Sequence, residues 1–109
     1  MNVRQITPAE LAGILADEPA ALLLDVREEW EHRHASIPGS LLIPLGLLMM
    51  RAEEELPDRD RPVIVYCHHG IRSLQACAVL ASLGYGNLSN LAGGIHRYSS
   101  DVDPSIPVY

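Results

Sequence analysis

The chain has 109 residues, a formal net charge of -6 and 48% hydrophobic residues, which suits one folded domain with a modest core over residues 1–109. The acidic excess argues against nucleic acid or an anionic membrane as the main partner. Two cysteines are too few for a disulfide framework, and the first residues contain no apolar run of signal-peptide length. We therefore expect a cytoplasmic protein, in a compartment where an exposed cysteine is more often catalytic than structural.

The first half of the chain alternates between strand patterns and helix patterns. Residues 3–6 are predicted to form a first strand, and Thr7 with Glu10 forms a capping box that begins a helix. The apolar run at residues 21–26, interrupted only by Asp25, is typical of a buried parallel strand. The remaining predictions for this half are a short helix at 27–33, a strand at 41–43, and a helix from Pro44 to about Leu56 with Leu45, Leu48 and Met49 facing inward.

The second half repeats the alternation around one strand, one loop and one helix. Residues 63–66 are apolar and follow a proline, which predicts a buried strand. Leu74, Ala78 and Ala81 then recur at helical spacing and predict the inward face of a helix that ends at Gly84, a face that Cys77, Leu80 and Leu83 widen. A last strand at 87–91, a short helix at 95–99 and an irregular tail follow. The alternation predicts an α/β fold, with a small parallel sheet covered by helices on both faces.

The loop between this strand and this helix, residues 67–73, reads Cys-His-His-Gly-Ile-Arg-Ser. A loop that enters a helix N-terminus directs backbone N–H groups toward its centre, where a cysteine is favoured as the nucleophilic thiolate. Cys67 is therefore the predicted nucleophile, although cysteines at strand ends are also common core residues. Gly70 is expected to supply a special backbone conformation, and Ser73 to hydrogen-bond the loop or cap the helix.

This loop resembles the active loop of the rhodanese-like sulfurtransferases. Other motifs extend the resemblance, in the same order, over nearly the whole chain: Asp25-Val26-Arg27, Ile37-Pro38-Gly39-Ser40, Leu91-Ala92-Gly93-Gly94 and the ending at 103–109. The resemblance implies that Cys67 takes a sulfane sulfur from a small anionic donor such as thiosulfate and holds it as a persulfide. The acceptor would be cyanide, a thiol or another protein, and no cofactor is implied.

Arg72 and the two histidines complete the predicted loop chemistry. The Arg72 guanidinium is suited to bind an anionic donor, although an arginine here is also explained by a local acidic partner. The N–H groups from His68 to Arg72, including that of Ile71, are expected to stabilise the persulfide. His68 and His69 are expected to line the rim and influence acceptor choice. No metal is expected, because consecutive residues in a tight loop rarely converge on one ion.

Candidate residues outside the loop are the charged pair Asp25 and Arg27 and the second cysteine, Cys77. Asp25 and Arg27 end the second predicted strand, and we assign them supporting roles in orienting the loop or its arginine, since a buried aspartate needs a partner. Cys77 lies on the predicted inner face of the helix, so we interpret it as a core residue rather than a second redox cysteine.

Two alternative functions stay open. Related phosphatases and arsenate reductases use a longer loop, with five residues between cysteine and arginine, whereas this chain has four. A persulfide carrier or sensor that serves one dedicated partner would use the same Cys67 chemistry without rapid turnover of small donors.

Overall fold

The computed structural model describes residues 2–109, and a parallel sheet forms its centre. The strands in this part of the chain are β1 (Val3–Ile6), β2 (Leu22–Asp25), β3 (Leu41–Leu42), β4 (Val63–Tyr66) and β5 (Leu88–Leu91). They lie in the order β1-β5-β4-β2-β3, and every neighbouring pair is parallel. Asp25 pairs with Tyr66 in the register, so β2 and β4 end side by side at the carboxyl edge of the sheet. Loops that follow these strands are thereby brought together.

Helices cover both faces of the sheet: α1 (Pro8–Asp17), α2 (Glu29–His34), α3 (Leu48–Glu55), α4 (Ile71–Ser82) and α5 (Gly94–Asp101). Val63 and Val65 of β4 pack into one core cluster with α3 and α4. Ile64 and Tyr66 point the other way, into a second cluster with α1 and α5. This alternation is expected for a strand buried on both faces, and it confirms the predicted α/β architecture. The helices described here are all too short to cross a membrane; the longest has 12 residues.

The N-terminal cap of α1 also agrees with the sequence pattern. The Thr7 hydroxyl accepts a hydrogen bond from the Glu10 N–H at 3.1 Å, and the Glu10 carboxylate accepts one from the Thr7 N–H at 3.0 Å. These reciprocal bonds satisfy two donors that the first helical turn leaves unpaired.

Two helix faces were predicted correctly only in part: Cys77 and Leu80 of α4 and Leu48 of α3 are buried as expected, whereas other predicted inward residues are not. In α4, Leu74 and Ala78 are exposed, and the buried stripe consists of Ser73, Ala76, Cys77 and Leu80. The first residue of that stripe, Ser73, is held against Cys67, because its N–H donates a hydrogen bond to the cysteine sulfur. In the segment after Pro44, a 3-10 turn at Leu45–Leu47 precedes α3 and changes its phase. Leu48 and Ala52 are buried as a result, whereas Met49 is 63% exposed.

Candidate active site

Cys67 directly follows β4, and its sulfur lies at the centre of the loop. The N–H groups of Gly70 and Ser73 donate hydrogen bonds to Sγ at 3.1 and 3.3 Å, and the Ser73 hydroxyl lies 3.3 Å from the same atom. Cys67 is only 1% exposed. Backbone dipoles fixed around a buried sulfur stabilise negative charge on it, which is the requirement for a thiolate or persulfide nucleophile.

Gly70 shapes this loop through its backbone. Its φ of +103° lies in the left-handed region, which an L side chain adopts only at a cost. The Gly70 carbonyl accepts a hydrogen bond at 3.3 Å from the amide of Asn90 on neighbouring β5. The turn directs the Gly70 N–H at Sγ, so both the predicted backbone conformation and the sulfur contact occur at one residue.

The first turn of α5 packs against the other side of the loop. The N–H of Ile95 donates to the Cys67 carbonyl at 2.9 Å, and the N–H of His96 donates to the His68 carbonyl at 3.2 Å. A Cβ on Gly94 would lie 2.3 Å from the His68 oxygen and 2.5 Å from the Cys67 oxygen. The helix can therefore approach the loop only because glycine stands at residue 94.

Arg72 forms a two-point ion pair with Glu31 of α2. The guanidinium donates to both carboxylate oxygens, at 2.7 and 2.9 Å. This bond lowers the pKa of Glu31 to about 2, although burial opposes the shift, and it raises the pKa of Arg72. The local acid considered for this arginine is thus present, and Arg72 keeps about a third of its side chain exposed. Any anion that reaches Arg72 shares the guanidinium with Glu31.

Asp25 and Arg27 are completely buried and bind each other. Asp25 accepts hydrogen bonds from Arg27 Nε and an Arg27 terminal nitrogen at 3.0 and 2.8 Å, and it also lies 2.8 Å from His32 Nδ1 and 3.2 Å from the Tyr66 hydroxyl. Burial works against the Arg27 charge, but the bonds to Asp25 and Tyr109 outweigh it and raise the pKa of Arg27. A fully buried ion pair of this kind needs such additional partners.

Tyr109 links this buried pair to the loop arginine. Its hydroxyl accepts from Arg27 at 2.7 Å and donates to Glu31 at 2.7 Å, and burial contributes most to raising its pKa to about 12. Asp25 and Arg27 are therefore connected to Arg72 by a chain of hydrogen bonds through two residues, Tyr109 and Glu31. Within residues 2–109, neither Asp25 nor Arg27 forms a hydrogen bond with Cys67. Both intermediates, Tyr109 and Glu31, were missed by the sequence analysis. A tyrosine in the tail and an acid in a polar helix carry no local signal of their contact.

His68 and His69 line the rim of the loop. The His68 ring is stacked between Tyr109, at 3.9 Å, and His69, at 4.0 Å. Burial, and secondarily the neighbouring His69, lowers the pKa of His68. His96 of α5 approaches the same rim, 5.1 Å from the His69 ring. Ile71 is 71% exposed, so the loop also presents an apolar side chain to solvent.

Cys77 has a different environment from Cys67. Its side chain is completely buried in the core between α4 and the sheet, and burial raises its pKa to about 12. Both cysteines are free. A thiol with so high a pKa is a poor nucleophile, as the interpretation of Cys77 as a core residue requires.

Comparison with known proteins identifies the family. The chain matches the rhodanese-like domain family over residues 7–101. It is 43% identical over 93 residues to a sulfurtransferase of Allochromatium vinosum, with 85% of each chain covered. It also matches one part of a probable adenylyltransferase/sulfurtransferase of Mycobacterium tuberculosis, with 33% identity over 26% of that protein.

Comparison with solved structures supports the same family. A rhodanese-related protein of Thermoplasma volcanium superimposes with a TM-score of 0.78 at 33% identity, covering 97% of this chain and 99% of that one. A human single-domain sulfurtransferase superimposes with a TM-score of 0.80 at 28% identity, covering 92% of this chain and 98% of that one. The chain belongs to the rhodanese-like family of sulfurtransferases.

Proposed function

We propose that this chain transfers a sulfane sulfur by double displacement through a persulfide on Cys67. In the first step the Cys67 thiolate attacks the outer sulfur of thiosulfate, a new S–S bond forms, and sulfite leaves with the electron pair of the broken bond. In the second step a thiolate or cyanide attacks the outer persulfide sulfur. The Cys67 thiolate then leaves and is ready for another cycle, which predicts ping-pong kinetics.

The observation that carries this proposal is the set of hydrogen-bond donors on the cysteine sulfur. Two backbone N–H groups donate to Sγ at 3.1 and 3.3 Å, and the Ser73 hydroxyl, which accepts from the thiol at 3.3 Å, can donate to the thiolate once the proton is lost. They stabilise the thiolate before each turnover and the thiolate leaving group in the second step. His69 and Ile71 are the exposed side chains of the loop, and in this proposal they are the ones that an acceptor meets as it approaches the persulfide.

The same geometry favours sulfur over phosphate as the transferred group. Four residues separate Cys67 from Arg72, one fewer than in the phosphatase signature. The loop is closed around the sulfur atom itself, and Glu31 already occupies two donors of Arg72. A loop of this length should hold a single sulfur atom better than a tetrahedral phosphate, whereas the Arg72–Glu31 pair disfavours thiosulfate and phosphate alike, since both are dianions. Phosphatase or arsenate reductase activity is therefore the less supported alternative.

A persulfide carrier for one protein partner is the second candidate function. The match to one part of a larger adenylyltransferase/sulfurtransferase favours it, because there the rhodanese-like portion belongs to a longer protein. A carrier would react slowly with thiosulfate and would discharge rapidly to its own partner. Either role fits a reducing, cytoplasmic setting, in which the two free cysteines remain thiols.

Intact-mass spectrometry tests the persulfide directly. Wild type, Cys67→Ser and Cys77→Ala are reduced, desalted, incubated with thiosulfate and weighed before and after cyanide. We expect a gain of about 32 Da, one sulfur atom, on wild type and Cys77→Ala only, and its loss with cyanide. Sulfur retained by Cys67→Ser would refute Cys67 as the carrier. If wild type gains sulfur from a low-molecular-weight persulfide but not from thiosulfate, thiosulfate is excluded as donor and the Cys67 mechanism stands.

A further inference from the structure

Three imidazole rings from two separate elements meet at the rim of the Cys67 loop. His68 and His69 lie in the loop, and His96 lies in the first turn of α5. One ring nitrogen of each lies within 4.8 Å of the others. We propose that these three histidines bind a divalent transition metal ion of the zinc type. No metal was expected from the sequence, because consecutive residues in a tight loop rarely converge on one ion and no other ligand cluster has suitable spacing.

The backbone fixes the two elements relative to each other. The His96 N–H donates to the His68 carbonyl at 3.2 Å, and Gly94 allows this close approach. His68 is further restrained by its stacking between Tyr109 and His69. Its buried Nε2 has no hydrogen-bond partner among residues 2–109, so this ring carries polar capacity that the protein leaves unused. The site therefore has one restrained ligand and two exposed ones.

The required rearrangement is small. Zinc–nitrogen bonds are about 2.0–2.1 Å long, so two nitrogens on one tetrahedral ion lie about 3.4 Å apart. The widest pair in this cluster has to close by at most about 1.4 Å. His69 and His96 are exposed, and their rings can turn about the side-chain torsions to do so. His68 then serves as the fixed point of the site.

The ligand set selects the kind of ion. Imidazole nitrogen suits zinc, copper and nickel, whereas calcium and magnesium require oxygen ligands. Three histidines leave a fourth tetrahedral position open to solvent or to a small anion. A bound ion would bridge the loop to α5 and stabilise the folded state, by an amount that rises with the logarithm of the ratio of ion concentration to Kd. The ion would also lie on the Cys67 loop, so we expect it to inhibit sulfur transfer. That inhibition rests on the proposed function, whereas the binding of the metal ion does not.

Calorimetric titration with zinc tests the site on tag-free protein that has been treated with a chelator. We expect one ion per chain and a rise in melting temperature with zinc. His96→Ala is expected to bind at least about tenfold more weakly, since one of three ligands is lost, whereas His34→Ala, which removes an exposed histidine outside the cluster, is expected to bind like wild type. Melting curves without metal show whether each variant is folded.

Cys67→Ser separates this site from metal capture by the active thiolate. With cobalt as a spectroscopic probe, we expect the tetrahedral absorption bands in wild type and in Cys67→Ser, without a sulfur-to-cobalt charge-transfer band. Loss of binding in Cys67→Ser would overturn the three-histidine site, as would unchanged binding in folded His96→Ala. The absence of any binding to wild type at micromolar zinc would overturn it as well. None of these outcomes depends on whether the chain transfers sulfur.

Discussion

Glu31 holds the loop arginine in place, and its replacement by glutamine tests how strongly. The carboxylate is almost fully buried, with 5% of the side chain exposed, and it binds both Arg72 and the Tyr109 hydroxyl. Glutamine has nearly the same shape but no charge, and its amide group places a donor against the donors of the guanidinium. Glu31→Gln should therefore weaken the fold through this contact, while the amide oxygen of glutamine can still accept the hydrogen bond from the Glu28 N–H that caps α2.

The expected loss of stability in Glu31→Gln, and its dependence on pH, follow from the pKa of Glu31. The pKa falls from 4.5 to about 2 on folding. Each pKa unit corresponds to about 1.4 kcal/mol, so the ionised carboxylate contributes up to about 3 kcal/mol at neutral pH. Since the folded-state pKa is the lower one, the unfolded chain takes up the proton first as the pH falls. The contribution is complete above about pH 4.5, falls to about half at pH 3, and is lost below about pH 2.

Urea unfolding of wild type and Glu31→Gln at pH 7, 5 and 3 measures this contribution. We expect the two proteins to differ by about 3 kcal/mol at pH 7 and pH 5, and by about half of that at pH 3. Glu29→Gln is the matched control, since Glu29 is 72% exposed and only 3.9 Å from Arg33, and it should cost at most about 0.5 kcal/mol. A difference for Glu31→Gln that stays constant from pH 7 to pH 3 would refute the ion pair as its cause, as would an equal loss in Glu29→Gln.

Two further substitutions test the contacts around the loop. Gly94→Ala should lower the free energy of unfolding by at least about 3 kcal/mol in urea, because its Cβ would lie 2.3 Å from a loop carbonyl oxygen and the backbone there is left-handed. Gly13→Ala is the control: residue 13 lies in α1 with open space around it, so alanine should stabilise the fold by about 0.5–1 kcal/mol. Equal effects would contradict the proposed close packing of α5. Tyr109→Phe keeps the ring but removes the hydroxyl between Arg27 and Glu31, and should cost about 1–3 kcal/mol in the same assay. No measurable loss would show that the hydroxyl link is dispensable.

The parts of the site that are continuous in sequence were the predictable ones. The apolar run of β4, the loop from Cys67 to Ser73 and the helix after it follow one another, so their order alone places a cysteine at a helix N-terminus. The fold class followed in the same way from the alternation of strands and helices. Asp25 was likewise located at a strand end, although its four hydrogen-bonding groups were not foreseen.

The remaining contacts could not be predicted because they join distant parts of the chain. Glu31 and Arg72 are 41 residues apart, and Tyr109 and Arg27 are 82 apart. No spacing rule connects such residues before the sheet order is known. The contact of His96 with the loop could not be predicted for the same reason. It occurs because β5 lies beside β4, so that α5, which follows β5, begins next to the loop. The error in α4 has a different cause: hydrophobic periodicity gives no weight to a serine, and Ser73 is a member of the buried stripe of this helix.

The charge balance of the site bears on how the proposed reaction selects its donor. The Arg72 charge is largely neutralised by Glu31, and the groups that contact the sulfur are uncharged: two backbone N–H groups and the Ser73 hydroxyl. Stabilisation of the anionic sulfur in the proposed mechanism therefore comes from fixed dipoles, which cost no reorganisation during the reaction. A dianionic donor such as thiosulfate can bind only the Arg72 N–H groups that Glu31 leaves free. Its negative charge is also repelled by the Glu31 carboxylate. Donor preference in this mechanism is accordingly set by Arg72 and Glu31 as a pair, with Tyr109 and Arg27 fixing the position of the acid.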